Sequence, residues 1–162
     1  MILRAIGESA GALMTGSLKD AHQAGLSGLA LGAGIGALAG GVSAYKAAKS
    51  QGLNPWSGKH LKYPTNDGGV LGTGKDVVLE PGTRIDRYGE VTGNYAAPEG
   101  TPLGQRSLSP RTNTNIYNSY EVVKPLPAYQ SVSKPYFLQQ GGGVQYKFEF
   151  NMFDLIKKGY IK

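Results

Sequence analysis

Beyond about residue 51 the chain predicts an α+β fold: a compact, mostly antiparallel β-sheet core with short peripheral helices, preceded by a Gly/Ala-rich helical or flexible segment. Three observations carry this. In "VQYKFEF", residues 144–150, Val144, Tyr146, Phe148 and Phe150 share one face and Gln145, Lys147 and Glu149 the other, the period-two pattern of a strand with one buried side. The turn-forming clusters "TNDGG", "PGTRID", "RYGEVTGNY", "APEGTP", "VKPLP" and "QQGGGVQ" leave only short segments between them, rich in β-branched and aromatic residues. The closing "NMFDLIKKGYIK" reads as a short helical turn with Asn151 as its cap, Phe153, Leu155 and Ile156 as its apolar residues and Gly159 as its stop.

Taken in order, residues 1–50 form a Gly/Ala-rich N-terminal segment and 51–162 the folded domain. Gly28, Gly32, Gly36 and Gly40 recur every four residues in an uncharged run over 21–45, flanked by Lys19, Asp20, Lys46 and Lys49. On a helix they make one smooth stripe, the small-residue pattern by which helices approach closely in a bilayer. In water each glycine weakens a helix by about 1 kcal/mol, which favours a flexible linker. Both readings, membrane contact through 21–45 and a linker, stay open. Glu8 and Asp20 interrupt the front and argue against a cleavable signal peptide, and the glycines at 7, 11 and 16 weaken an amphipathic helix over 1–19. "KSQGLNPWSGKHLKYP" marks the boundary: Gly52 ends a helix at Ser50 or Gln51, Asn54 and Pro55 start a turn, and Trp56 offers an apolar anchor to the domain behind it. Strands are then predicted at 77–79, 83–88, 119–124 and 144–150.

The composition narrows the function. Without cysteine the chain has neither disulfides nor thiolate metal sites, and two histidines, His22 and His60, make no recognisable zinc site, so no metal is expected. The formal net charge of +6 is spread as +2 over 1–50 and +4 over 51–162, without the dense basic patch that tracks nucleic acid phosphates. Anionic small molecules remain plausible partners.

The candidate site residues lie in "IDRYGEVTGNY", "GQRSL" and "GGGVQY". Arg84 and Arg87, three apart on a strand, point to opposite faces, so one of them faces a site. Arg87 and Arg106 together make a fork for a pyrophosphate. The plain alternative is a surface ion pair with Asp86, Glu90 or Glu99. Tyr88 and Tyr95, either side of two glycines, suit a hairpin whose aromatics flank a cleft, though tyrosines in small β domains are commonly core. The glycines at 141–143 let backbone approach a ligand and set Gln145 at the start of a strand.

In sequence order, "PGTRIDRYGEVTGNYAAPEGTPLGQRSLSP", "YEVVKPLP", "GGGVQY" and "LIKKGYI" resemble the TNT domain family, the NAD-degrading domain first named for a tuberculosis necrotizing toxin, over about residues 70–162. "GLNPWSGK" after a Gly/Ala segment is similar to the junction before the C-terminal toxin of Rhs-type polymorphic toxins. The resemblance implies an NAD(P)+ glycohydrolase that needs no cofactor, is delivered by the machinery of a parent toxin, acts in the target-cell cytoplasm and is held in check by a cognate immunity protein. It implies Gln145, Arg106 and Arg87 as catalytic residues, and Arg87, Tyr88, Tyr95, Arg106 and Gly143 as the substrate-binding set. A histidine that some members carry after the second arginine is absent here, since none follows His60.

"IDRYGEVTGNY" holds no histidine, cysteine or serine to serve as an obvious nucleophile or base, and such a site fits that lack. Nicotinamide leaves NAD+ as a neutral molecule from a cationic pyridinium, so no general acid is required, and a site that positions the dinucleotide and stabilises an oxocarbenium-like ribose is enough. Two other readings stay in view: an ADP-ribosyltransferase with Glu149 as its acidic residue, and a membrane-disrupting module built on the glycine stripe.

Overall fold

The computed structural model describes residues 41–162. The 1–19 segment, the glycine stripe from Gly28 to Gly40 and most of the 21–45 run lie outside them. Among the described residues no helix is long and apolar enough to cross a membrane.

Helix α1 (Gly41–Ser50) ends where Gly52 predicts. Gly52 takes φ +77°, its N–H donates to Lys49 O at 3.2 Å and that of Leu53 to Ala48 O at 2.9 Å, the paired bonds of a Schellman cap. Leu53, fully buried, then joins Ala48, Tyr136, Phe137 and Leu138 in a small apolar cluster. Trp56 is not the expected anchor: it is 59% exposed and, among the described residues, its ring meets that of Tyr45 at 5.9 Å, because the Asn54 turn carries it outward while Leu53 points in.

Six strands follow: β1 (Lys75–Leu79), β2 (Arg84–Tyr88), β3 (Tyr95–Pro98), β4 (Tyr117–Glu121), β5 (Leu126–Val132) and β6 (Val144–Lys147). They form one antiparallel sheet in the order β1-β5-β6-β3-β2-β4. Its buried face carries Leu79, Ile85, Tyr120, Leu126, Tyr146 and Phe148, and helix α2 (Met152–Lys157) closes it with Met152 and Leu155. Asn151 caps α2 by accepting the Asp154 N–H at 2.8 Å, and Gly159, at φ +78°, stops it. Phe153 and Ile156, expected among its apolar contacts, are 51% and 43% exposed on its outer side.

Two strands lie where the sequence predicts none. β3 is the four-residue "YAAP", and β5, "LPAYQSV", starts within a stretch that reads as a proline turn. Proline is tolerated there because β6 pairs with β5 only from Tyr129 onward, so at Pro127 the missing N–H falls where β5 has a neighbour on one side only. β6 stops at Lys147 rather than 150. Beyond it, Phe148 N–H donates to Asn94 O and Asn94 Nδ2 to Phe148 O, which keeps Phe148 in the core without a ladder. The chain end returns to pair Lys162 with Glu121 on both backbone groups.

Candidate active site

β2 and β3 form a hairpin, with Ile85 opposite Pro98 and Asp86 opposite Ala97. Beside its connected end, where Tyr88 leaves β2 and Tyr95 begins β3, and next to the start of β6, lies a cavity of about 500 Å³. Arg87 and Tyr88 reach it from β2, Tyr95 from β3, Arg106 from the loop after a short 3-10 turn (Leu103–Gln105), and Gln145 from β6. Ala96 and Ala97, too small to fill the space, also line it.

The two β2 arginines diverge as the strand period requires. Arg84 is exposed and pairs with Glu99 at 2.8 Å. Arg87 donates from Nε to Glu90 O and from Nη1 to Tyr95 O, both at 2.8 Å, and makes no carboxylate pair among the described residues. Burial lowers its pKa from the ordinary value, with Tyr120 and Glu90 acting in the opposite sense. The glycines around it are part of its seat: a Cβ at Gly93 would come 1.8 Å from Arg87 Nη2.

Arg106 has a buried partner instead of a surface one. Its Nη2 lies 2.6 Å from Asp86 Oδ1, with the two side chains 6% and 0% exposed, and its Nε donates to Thr101 O at 2.9 Å. Asp86 Oδ2 accepts from Gly100 N–H at 2.8 Å and from the Tyr117 hydroxyl at 2.7 Å. The hydrogen bond to Asp86, then burial, pushes the Tyr117 phenol up to about 12. The Arg106 guanidinium lies 4.9 Å from the Tyr88 ring centre, and Tyr88 also packs on Tyr117, so much of the Tyr88 ring meets protein.

Gln145 sits opposite Ser131 across the β5–β6 pair. Its Nε2 donates to Asp67 O at 2.8 Å and to Ser131 Oγ at 3.1 Å. Because a main-chain carbonyl can only accept, this contact identifies the nitrogen end of the amide, and Oε1 is the end left for the cavity.

Gly143 departs from its expected place. It does not line the cavity; a Cβ there would lie 2.8 Å from Thr101 Cγ2 and 2.9 Å from Gln105 O. A Cβ at Gly141 would lie 2.6 Å from Pro135 N. The glycine run lets protein backbone approach protein backbone, and Gly143 N–H donates to Gln105 O at 3.1 Å. Glu149 is exposed and borders a separate shallow groove between β1, β5 and β6.

Several lining residues are not among the candidates read from the sequence: Tyr63, Asp67, Ser107, Ser133 and Phe137. Asp67, Ser107 and Phe137 have φ of +51°, +48° and +52°, a left-handed backbone that is uncommon outside glycine and concentrates at working sites. Asn66-Asp67-Gly68 held a signal, since Asn and Asp tolerate that region best; Ser107 and Phe137 held none. Asp67 lies beside the Tyr95 hydroxyl, and burial, then the Asp67 charge and hydrogen bond, pushes that phenol up to about 12. Lys147 Nζ lies 3.1 Å from Asp67 Oδ2.

Comparison with known proteins gives the family. A conidial surface nicotinamide adenine dinucleotide glycohydrolase of Aspergillus fumigatus is 32% identical over 113 residues, which cover 62% of this chain and 48% of that protein. The chain thus spans about half the length of that curated relative. Among solved structures, tuberculosis necrotizing toxin complexed with its immunity factor superposes with a TM-score of 0.51 at 24% identity, over 69% of this chain and 66% of that one, a likeness of fold. The family model of tuberculosis necrotizing toxin matches residues 78–162, just over half of the chain and the part that holds the hairpin, the Arg106 loop and Gln145, and the chain belongs to that family.

Proposed function

We propose that this chain is a toxin domain that hydrolyses NAD+, with NADP+ as the alternative dinucleotide, to nicotinamide and ADP-ribose. The observation that carries the reading is the convergence of Arg87, Arg106 and Gln145, from three separate segments, on one cavity that also holds Tyr88 and Tyr95. Water adds to the ribose C1′ as the bond to nicotinamide breaks; nicotinamide leaves with the bonding pair and a proton is released to solvent. Cofactor chemistry is not needed for that balance.

Arg87, not offset by a described carboxylate, holds the pyrophosphate, and Arg106 presents the edge of its guanidinium that Asp86 and Thr101 leave open. Tyr95 walls the nicotinamide side. Tyr88 contributes mainly by backing Arg106. Gln145 directs Oε1 to the ribose, where positive charge develops in the transition state. The whole belongs to a delivered effector acting in the target-cell cytoplasm, and a cognate immunity protein that covers Arg87 or Arg106 protects the producer.

The full chain incubated with NAD+ should release nicotinamide and free ADP-ribose in equal amounts. ADP-ribose attached to added proteins would favour the transferase reading, which Glu149, remote from the cavity lining, does not support. Gln145→Ala should lower kcat by about a hundredfold with little change in KM, because the contact strengthens only as the bond breaks. Near-normal turnover would remove Gln145 from the mechanism.

A further inference from the structure

We propose that Asp67 is a positioning residue for Gln145 and acts through its main chain. This rests on the role given to Gln145 above. Asn66 and Asp67 are consecutive left-handed residues, with φ +58° and +51°, in a short 3-10 turn (Asn66–Gly68) that leans over the start of β6. That geometry brings Asp67 O to 2.8 Å from Gln145 Nε2, while Ser131 Oγ accepts from the same nitrogen at 3.1 Å. A glutamine side chain has three rotatable bonds, and two acceptors on one nitrogen hold its amide plane and leave Oε1 as the end presented to substrate.

The turn is tied down on its other sides. Asn66 Nδ2 donates to Gly69 O at 2.9 Å, Gly69 N–H to Asn66 O at 2.8 Å, and Lys134 N–H to Gly68 O at 2.8 Å. The Asp67 carboxylate meets Lys147 Nζ at 3.1 Å and the Tyr95 hydroxyl. Asp67 is the one acidic residue lining the cavity among the described residues, which raises the rival role of an anion facing the ribosyl cation. Lys147 decides against it, because a carboxylate in contact with an ammonium offers little net charge to a third group. The placement of the carbonyl is what the turn secures, and aspartate supplies it as a residue that tolerates the left-handed region.

Three variants of the full chain separate these roles. Asp67→Asn keeps left-handed tolerance without the charge and should retain kcat within about threefold. Asp67→Val, β-branched, resists that backbone and should lower kcat at least about tenfold with KM nearly unchanged. Ser131→Ala removes the second acceptor without touching the turn and should lower kcat severalfold, deciding the matter if the valine variant does not fold. In nuclear magnetic resonance spectra the Gln145 side-chain amide, distinct in the parent and in Asp67→Asn, should move toward the position of solvated glutamines in Asp67→Val and Ser131→Ala. Asn as damaging as Val would give the role to the carboxylate and overturn the proposal. Parent-like kcat per folded molecule in Val and Ser131→Ala, or an unmoved amide resonance, would also overturn it. A parent chain that leaves NAD+ intact would instead refute the hydrolase reading, with the amide resonance still reporting whether Asp67 holds Gln145.

Discussion

A Cβ added at Gly93 would meet Arg87 at all three guanidinium nitrogen and carbon positions nearest it, between 1.8 and 2.8 Å, and no backbone atom comes as near. Since Gly93 does not have a positive φ, alanine suits its backbone, and what gives way is the far end of a flexible side chain. Gly93→Ala should therefore leave the melting temperature close to the parent's and raise KM for NAD+ about tenfold, as Arg87→Met should. A large loss of stability with KM unchanged would show that the glycine serves the hairpin and not the arginine. Asp86 predicts the reverse balance. It is fully buried, and Asp86→Asn leaves the Arg106 guanidinium without its counter-charge at a site 6% exposed. Chemical denaturation should register a loss of about 3 kcal/mol, against under about 1 kcal/mol for Glu99→Gln, whose partner Arg84 is half in solvent.

At the scale of elements, Gly143 joins the start of β6 to the Leu103–Gln105 turn, and so joins Gln145 to Arg106. Gly143→Val would press on Gln105 O and on the Thr101 methyl together, and the main-chain carbonyl cannot swing aside as a side-chain tip does. Stability should fall by about 2 kcal/mol and kcat by more than tenfold, in contrast to Gly142→Ala, where a Cβ would meet nothing within 4 Å and only the φ of +92° resists. Loss of activity without loss of stability in Gly143→Val would mean that this contact steers Gln145 without supporting the sheet. The elements also show what a sequence discloses. β6 and α2 were legible because Val144, Tyr146 and Phe148 alternate and Asn151 and Gly159 mark both helix ends. β3 and β5 were not, because Ala96, Ala97 and Pro127 lack the β-branched signature and become strand only through the neighbours that pair with them. The arginines, tyrosines and glutamine of the cavity were legible through family motifs. Asp86 was legible only as a surface ion-pair partner and Asp67 not at all, because burial of the first and the main-chain contact of the second exist only once distant segments meet.

For the whole molecule, phenols on four segments respond to folding in the same sense. Burial, then the Asp67 charge, raises Tyr95 to about 12, and the hydrogen bond to Asp86 raises Tyr117 to about 12. Burial raises Tyr136 and Tyr146, and also Tyr120, where Arg87 works in the opposite direction. A phenol whose folded pKa exceeds its unfolded value of 10.0 binds its proton more tightly in the native state. Its contribution to stability is complete below pH 10 and disappears as the pH rises toward 12. The contributions add because these tyrosines span β3, β4, β6 and the loop that meets α1, so no single segment can ionise its phenol and leave the others in place. Stability measured by denaturant should be level with respect to these groups on approaching pH 10 and then fall steeply between 10 and 12. The tyrosinate absorbance contributed by these five phenols should rise in the same interval in one cooperative step that coincides with loss of the far-ultraviolet sheet signal. Tyr117→Phe, which cannot ionise but also deprives Asp86 of a donor, should lower stability near neutrality and make the alkaline fall shallower. If all of the tyrosinate forms around pH 10 while the sheet signal persists, the phenols are not held by the fold, and the contacts of Tyr95 with Asp67 and of Tyr117 with Asp86 do not hold in solution.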